Sequence, residues 1–322
     1  MIEYSKDIIL NTNLSLRRNI EGYDFPTTMT REDSLEVLSA FKAIYKDELI
    51  LLEDIDEVSL NKYINDGLLS PDCQEQVVQI GIVIKDDYII TINDRDHIGI
   101  NIRNFNMDLS SAYKKAFLVE DFLDHKFDFA FSPEYGYLTS DARNTGLGLE
   151  ITYKVFLFGL VDSDQTYYAL KTSLANEGMY FTKFLPKYYN KYAKDLYIIK
   201  NFGNYRENIE EYLGKIDSAI DTLVRNERRF RRDYQVLNNI SHDDIIDEIN
   251  IIETNLEEGN LKSLEKISKA LYGLKKYRAL GFRTKLDPTE IDYLIFNTNK
   301  NKYKGDRAKQ RFEFLNSYME GR

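Results

Sequence analysis

One cysteine, five prolines, three histidines and no tryptophan in 322 residues leave little room for several kinds of protein. The lone Cys73 excludes an intrachain disulfide and a cysteine-rich zinc site, and it suits a reducing compartment. The scarce prolines form no Pro-rich linker, and neither an internal repeat nor a low-complexity tract is present. No apolar run approaches the roughly 20 residues of a membrane-spanning helix. Positive charge is short as well: 43 Lys and Arg stand against 53 Asp and Glu, a formal net charge of −10. That balance argues against a nucleic acid or an anionic membrane as partner. The opening MIEYSKDIILNTNLSLRRNI carries charges too early for a secretory leader, so the expected location is cytoplasmic.

What the chain does have is 24 tyrosines and 18 phenylalanines in a composition 43% hydrophobic and 30% charged, the balance of a globular protein with an aromatic-rich core. TTMTREDSLEVLSAFKAIYKDE reads as a helix, with Thr30 and Asp33 spaced as a capping box. Val77–Ile84 and Tyr88–Ile92 are β-rich runs around a turn at Lys85-Asp86-Asp87. Ile98, Ile100 and Ile102 alternate with Gly99, Asn101 and Arg103, the pattern of a half-buried strand. DLSSAYKKAFLVEDFLDHKF is an amphipathic helix, Gly148–Leu160 a further strand, and Asp164–Glu177 a helix closed by Gly178. Beyond Tyr205 the pattern becomes helical, over 206–237, 242–258 and 262–280, with Ser241 and Asp244 as a second capping box. Glu257-Glu258-Gly259-Asn260 is a stop. The expected layout is an α+β domain over 1–205 and a helical domain over 206–322.

Several separated segments, taken in order, resemble the ATP:guanido phosphotransferases, and among them the bacterial protein-arginine kinases. NTNLSLRRNIEGYDFP is similar to that family's SSRIRLARN…FP segment, INDRDHIGI to its NEEDHLRI strand, and GYLTSDARNTGLGLE to GYLTACPTNVGTGLR, with KFDFAF just upstream. RNERRFRR, SLEKISKALYGLKKYRALG and GDRAKQR resemble segments of the arginine-kinase C-terminal domain. The implied fold is the guanido-kinase catalytic-domain fold, an antiparallel sheet flanked by helices, followed by an all-helical C-terminal domain.

The departures from the family pattern bear on function. Family arginines that surround the ATP phosphates fall here on Asn13, Ser15, Gly99, Glu150 and Thr182. On the guanidinium side, family glutamates fall on Arg95 and Lys187, and the reactive-site cysteine falls on Asp141. Asp96, His97, Asn144, Gly146 and Gly148 are retained. Phosphoryl transfer is mostly positioning and cationic stabilisation, and one clamp donor contributes on the order of 3–4 kcal/mol. Losing several erases most of the rate enhancement, Glu150 repels a polyphosphate, and Arg95 repels a guanidinium.

Each candidate also has a plainer reading. The glycine loop is a phosphate cradle or a turn kept for the fold, and positive φ alone accounts for its glycines. His97 is a base or a structural histidine without nucleophile or metal companions. Asp141 is a substitute catalytic carboxylate or a bystander. RNERRFRRDY is a nucleic-acid patch or a charged helix face, and Cys73 is an incidental thiol. In each case the plainer reading is preferred.

The resemblance therefore implies a catalytically inactive, protein-arginine-kinase-like binding or regulatory protein, with no catalytic residues, no metal and no cofactor. By family analogy its partner is a protein: itself, a related arginine kinase or the protein quality-control machinery. Homodimerisation through the C-terminal helices is one form of this. Two alternatives stay open. One is a divergent active arginine kinase using Mg-ATP, with Arg17, Arg18 and Arg103 taking over the phosphate contacts. The other is a receptor for phosphoarginine or another anion, using Arg95 and Lys187. The first reading predicts that Arg95 lies within about 4 Å of a carboxylate from residues 134–150, Asp141 or Glu150.

Overall fold

The computed structural model describes residues 7–103, 108–184, 195–202, 208–298 and 307–321. They fall into two compact units that interleave along the chain. The first comprises Met1–Val155, Tyr168–Thr182 and Ile198–Leu223; the second comprises Phe156–Tyr167, Lys183–Tyr197 and Val224–Arg322. Among the described residues no helix is long and apolar enough to cross a membrane.

The strands in chain order are β1 (Ile9–Arg18), β2 (Leu49–Leu51), β3 (Gly81–Ile84), β4 (Ile89–Ile92), β5 (Ile98–Arg103), β6 (Phe131–Ser132), β7 (Gly136–Tyr137), β8 (Leu149–Phe156), β9 (Met179–Lys183) and β10 (Leu196–Asn201). Eight of them form one sheet in the order β2-β3-β4-β5-β1-β8-β10-β9, and β6 pairs with β7. The pairs with a described register are antiparallel.

Strand β1 is central and buried along most of its length. Directly opposed residues share a face of the sheet. Leu14 pairs with Ile102 and Ile151, and Leu16 with Ile100 and Leu149, so these residues make one apolar face. Each such side chain, fully buried, contributes about 1.5–3 kcal/mol. The opposite face is polar although largely buried. There Asn13 pairs with Arg103 and Thr152, Ser15 with Asn101 and Glu150, and Arg17 with Gly99. An amide-hydroxyl ladder occupies its middle: Asn13 Nδ2 donates to Ser15 Oγ at 2.9 Å, and Ser15 Oγ donates to Asn101 Oδ1 at 2.6 Å.

Helix α1 (Arg31–Tyr45) begins where Thr30 accepts the Asp33 N–H, as the spacing predicted, and a short helix α2 (Glu57–Asn65) follows. Helix α3 (Leu109–Asp124), capped by Asp108, packs on β1 and β5 and buries Leu109, Ala112, Ala116 and Leu123. Arg18, on the leucine face of β1, reaches Glu120 of α3, so α3 covers that face. The sheet starts later than the β-rich run suggested: Val77 is 75% exposed and β3 begins at Gly81. The apolar residues of 77–80 serve a connection, because strand pairing with β2 and β4 starts at Gly81. Helix α4 (Asp164–Asn176) ends before Gly178, whose φ is +73°.

Helix α5 (Ile209–Leu237) is followed by α6 (His242–Glu257), α7 (Leu264–Ala279), α8 (Pro288–Asn297) and α9 (Arg307–Glu320). Ser241 and Asp244 form the full capping box at α6. Ile245, Ile249, Leu256, Ile267, Leu271, Leu274, Ile291, Leu294 and Leu315 make the helical core of the second unit. The RNERRFRRDY segment is not uniformly a solvated face. Arg225, Arg228, Arg229 and Arg232 are exposed, whereas Glu227 and Arg231 are buried and paired at 2.7 Å. Glu227 also accepts the N–H groups of Phe158, Gly159 and Leu160, so it satisfies a turn of backbone that has no ladder of its own.

Candidate functional site

The polar face of β1, β5 and β8 ends at Glu150, and three cations converge on it. Lys200 of β10 donates to Oε2, and Asn144 Nδ2 donates to the same atom at 3.2 Å. Arg17 Nη2 and Arg95 Nη1 each lie 3.5 Å from Oε1. The side chains of Glu150 and Arg17 are 4% and 1% exposed, Lys200 13% and Arg95 34%, so Arg95 is the solvent-side member. Burial opposes the Glu150 charge, but Lys200, Arg17 and Arg95 outweigh it and hold the carboxyl well below the usual range. Burial pulls Lys200 below an ordinary lysine, and Glu150 offsets that in part.

Of the two partners predicted for Arg95, Glu150 is the one it meets. Asp141 instead chelates Arg143, which donates from its backbone N–H, Nε and Nη2 at 3.0, 2.9 and 2.7 Å. The Arg143 hydrogen bonds depress the Asp141 pKa.

Position 99 carries positive charge in spite of its glycine. A Cβ on Gly99 would stand 2.4 Å from Thr91 Oγ1 and 2.5 Å from Arg17 Nη1. The guanidinium of Arg17 uses the room that a side chain at 99 would fill, so the neighbouring strand delivers a cation there. Arg18 and Arg103 are engaged elsewhere. Arg18 forms a buried pair with Glu120 at 2.7 Å, donates to the Arg17 and Leu147 carbonyls, and stacks on Tyr137 with Cζ 3.6 Å from the ring centre. Arg103 pairs with Asp66 at 3.2 Å.

The glycine loop serves the turn. Gly146 and Gly148 have φ of +115° and +60°. Gly146 exchanges both backbone hydrogen bonds with Tyr137, and the Gly148 carbonyl accepts from Arg17 N–H at 2.7 Å. A Cβ on Gly148 would lie 2.4 Å from the Arg17 carbonyl oxygen, so backbone approach as well as φ requires glycine.

Asp96 and His97 act as ties between loops. Asp96 Oδ1 accepts from Asn19 Nδ2 at 2.8 Å and from Ser140 N–H at 2.7 Å, and Asn19 Oδ1 accepts the His97 N–H at 2.9 Å. Burial raises the Asp96 pKa, and these hydrogen bonds hold it down in part. His97 Nδ1 accepts the Ile20 N–H at 3.0 Å, which places its proton on Nε2, facing the Asp24 carbonyl at 3.1 Å. Both ring nitrogens are satisfied in the neutral form, and burial lowers the pKa to about 4. Such an imidazole holds loops together and is not set up as a base.

Thr182 is exposed on β9, and no described hydrogen bond or ion pair joins it to the Glu150 cluster. Lys187 lies outside the described residues. Burial raises the thiol of Cys73 to about 12, so it is not a thiolate at neutral pH. Lys200 was missed in the sequence. LYIIKN shows an apolar strand, and nothing local tells that its lysine turns inward to a carboxylate 50 residues away.

Comparison with known proteins agrees with this architecture. The family model of the ATP:guanido phosphotransferase C-terminal catalytic domain matches residues 30–229. A protein-arginine kinase of Caldanaerobacter subterraneus subsp. tengcongensis is 27% identical over 248 residues, 72% of each chain. One of Desulforamulus reducens is 31% identical over 185 residues, 54% of this chain and 52% of that one. Among solved structures, the duplicated taurocyamine kinase of Schistosoma mansoni with bound transition-state-analogue components superposes with a TM-score of 0.58 at 18% identity. That alignment covers 71% of this chain and 34% of the kinase. A lombricine kinase gives 0.55 at 16% identity, over 75% and 70%. The helix-flanked antiparallel sheet, the ordered motifs and the matched family model together make this chain a member of the ATP:guanido phosphotransferase family.

Proposed function

We propose that this chain is a protein-arginine-kinase-like pseudoenzyme that works by binding rather than by phosphoryl transfer. Glu150 carries this reading. A phosphate clamp requires cations whose charge is free for the transferred group. Here Arg17, Arg95 and Lys200 converge on the chain's own carboxylate. Arg18 and Arg103, two further basic residues considered for a relocated site, are paired with Glu120 and Asp66. His97 is held neutral between two backbone groups, and Asp141 is held by Arg143. The activity that the curated relatives' names state is therefore not assigned to this chain, and its role is that of a partner to another protein.

Incubation with labelled ATP and an arginine-rich protein tests this, with an active protein-arginine kinase as control. The expected result is no acid-labile label on arginine above a heat-killed blank. Label above that blank overturns the proposal.

A further inference from the structure

The second unit carries an arginine stripe that its own acids leave unneutralised. Arg225, Arg228, Arg229 and Arg232 are exposed, and their spacings of three and four place them on one face of α5. The inward residues of the same segment are already engaged: Glu227 and Arg231 are buried, pair with each other and satisfy backbone groups of Phe156 to Leu160. Arg228, Arg229 and Arg232, by contrast, make no hydrogen bond or ion pair among the described residues, and Asp233, one turn beyond Arg229, does not close on it. Exposed lysines elsewhere on these helices do find a carboxylate one turn away: Lys215 has Glu211, Lys269 has Glu265 and Lys309 has Glu313. Like charges one turn apart oppose the helix that carries them, so the stripe costs α5 stability.

We propose that this face of α5 docks an acidic helical segment of another protein. Neighbouring arginines on it stand about 5–6 Å apart, and carboxylates at i and i+4 of a partner helix have the same spacing. Each guanidinium fork takes one carboxylate through two parallel hydrogen bonds. At physiological salt, charges beyond about 8 Å are screened, so a short segment meets the stripe rather than the net charge of the chain. A nucleic acid fits less well. The stripe runs only about 10 Å from Arg225 to Arg232, and a long polyanion extending past it meets a chain of net charge −10. Phe230 projects about 100° from Arg229 around the helix, so no ring alternates with the arginines to stack on bases. The inference goes beyond the non-catalytic reading and uses none of the residues around Glu150.

The full chain is titrated by fluorescence anisotropy with a labelled alanine-rich peptide of about fifteen residues carrying glutamates at i and i+4, and with its glutamine counterpart. The wild type is expected to bind the glutamate peptide and not the glutamine one, more weakly as salt rises. Replacing the unpaired arginines together, Arg228→Glu with Arg229→Glu and Arg232→Glu, should weaken binding about tenfold or more. The control combines Lys262→Glu, Lys266→Glu and Lys269→Glu at exposed positions. It makes the same change in net charge and should weaken binding less than about threefold. Equal losses in the two variants overturn the proposal, as does a wild type that binds neither peptide. So does a single-stranded oligonucleotide of the same charge that binds at least as tightly as the glutamate peptide. Sedimentation of the chain alone should not change on reversal; a shift would assign the stripe to a second copy and overturn the proposal. If the reversal variant is unfolded by circular dichroism, the triple alanine variant at the same positions carries the same expectation. Failure here leaves the non-catalytic reading standing, whereas arginine phosphorylation by the wild type refutes that reading and leaves the stripe untouched.

Discussion

Adjacent residues of β1 illustrate how partners, not residue types, set an arginine's role. Arg18 has a carboxylate at 2.7 Å, two carbonyls and an aromatic face. Arg17 has one loose ion pair. Arg18→Met strands Glu120 and is expected to cost about 3–5 kcal/mol of stability. Arg17→Met leaves Glu150 with Lys200 and Arg95, and it removes a poorly satisfied buried charge, so a loss below about 2 kcal/mol is expected. Urea denaturation of the two variants checks the order; equal losses would contradict it. His97 supplies a pH prediction. Its folded pKa of about 4 lies below the ordinary 6.5, so the unfolded chain binds the extra proton in between. Stability is therefore full above pH 6.5 and falls as pH drops toward 4, by about 3 kcal/mol from this group. A His97→Gln variant should lack that part of the slope, and an unchanged pH profile would show that His97 is not its source.

Turn and cap chemistry decide the fate of whole elements, and both are open to direct comparison. Gly148 and Gly22 both have positive φ, +60° and +86°, but a Cβ at Gly22 meets nothing within 4 Å. Gly22→Ala should cost about 1 kcal/mol, from φ alone. Gly148→Ala must also push the Arg17 carbonyl away and should cost more, about 2–3 kcal/mol. Similar midpoint shifts in denaturant would show that the loop yields to the added methyl. At α6, Ser241→Ala removes the hydroxyl half of the capping box and is expected to cost about 1 kcal/mol. That cap, the Thr30 cap of α1 and the Gly178 stop were legible in the sequence, because a cap is written within four residues. The late start of β3 was not, since it depends on where pairing with β2 and β4 begins. Burial of Glu227 was equally hidden, because the N–H groups it satisfies lie about 70 residues earlier in the chain.

At the scale of the molecule, the second unit leaves apolar side chains in solvent: Val236 is 84% exposed, Leu237 60% and Ile251 61%. Association with a second copy through these helices is the expected use of that surface. Sedimentation should find a species heavier than the 37.8 kDa chain, and Val236→Glu with Leu237→Glu should return it toward monomer. A monomer at high concentration contradicts this. Several things were written in the sequence alone: the α+β class, the ordered family motifs and the caps. Each depends on residue type at a short spacing, or on motif order along the chain. The tertiary structure alone decided which charges met. Strand register placed Arg17 over Gly99, β10 brought Lys200 to Glu150 across 50 residues, and local geometry gave Asp141 to Arg143. Charge pairing depends on distances of a few ångströms, and the chain does not express those distances until its strands are paired.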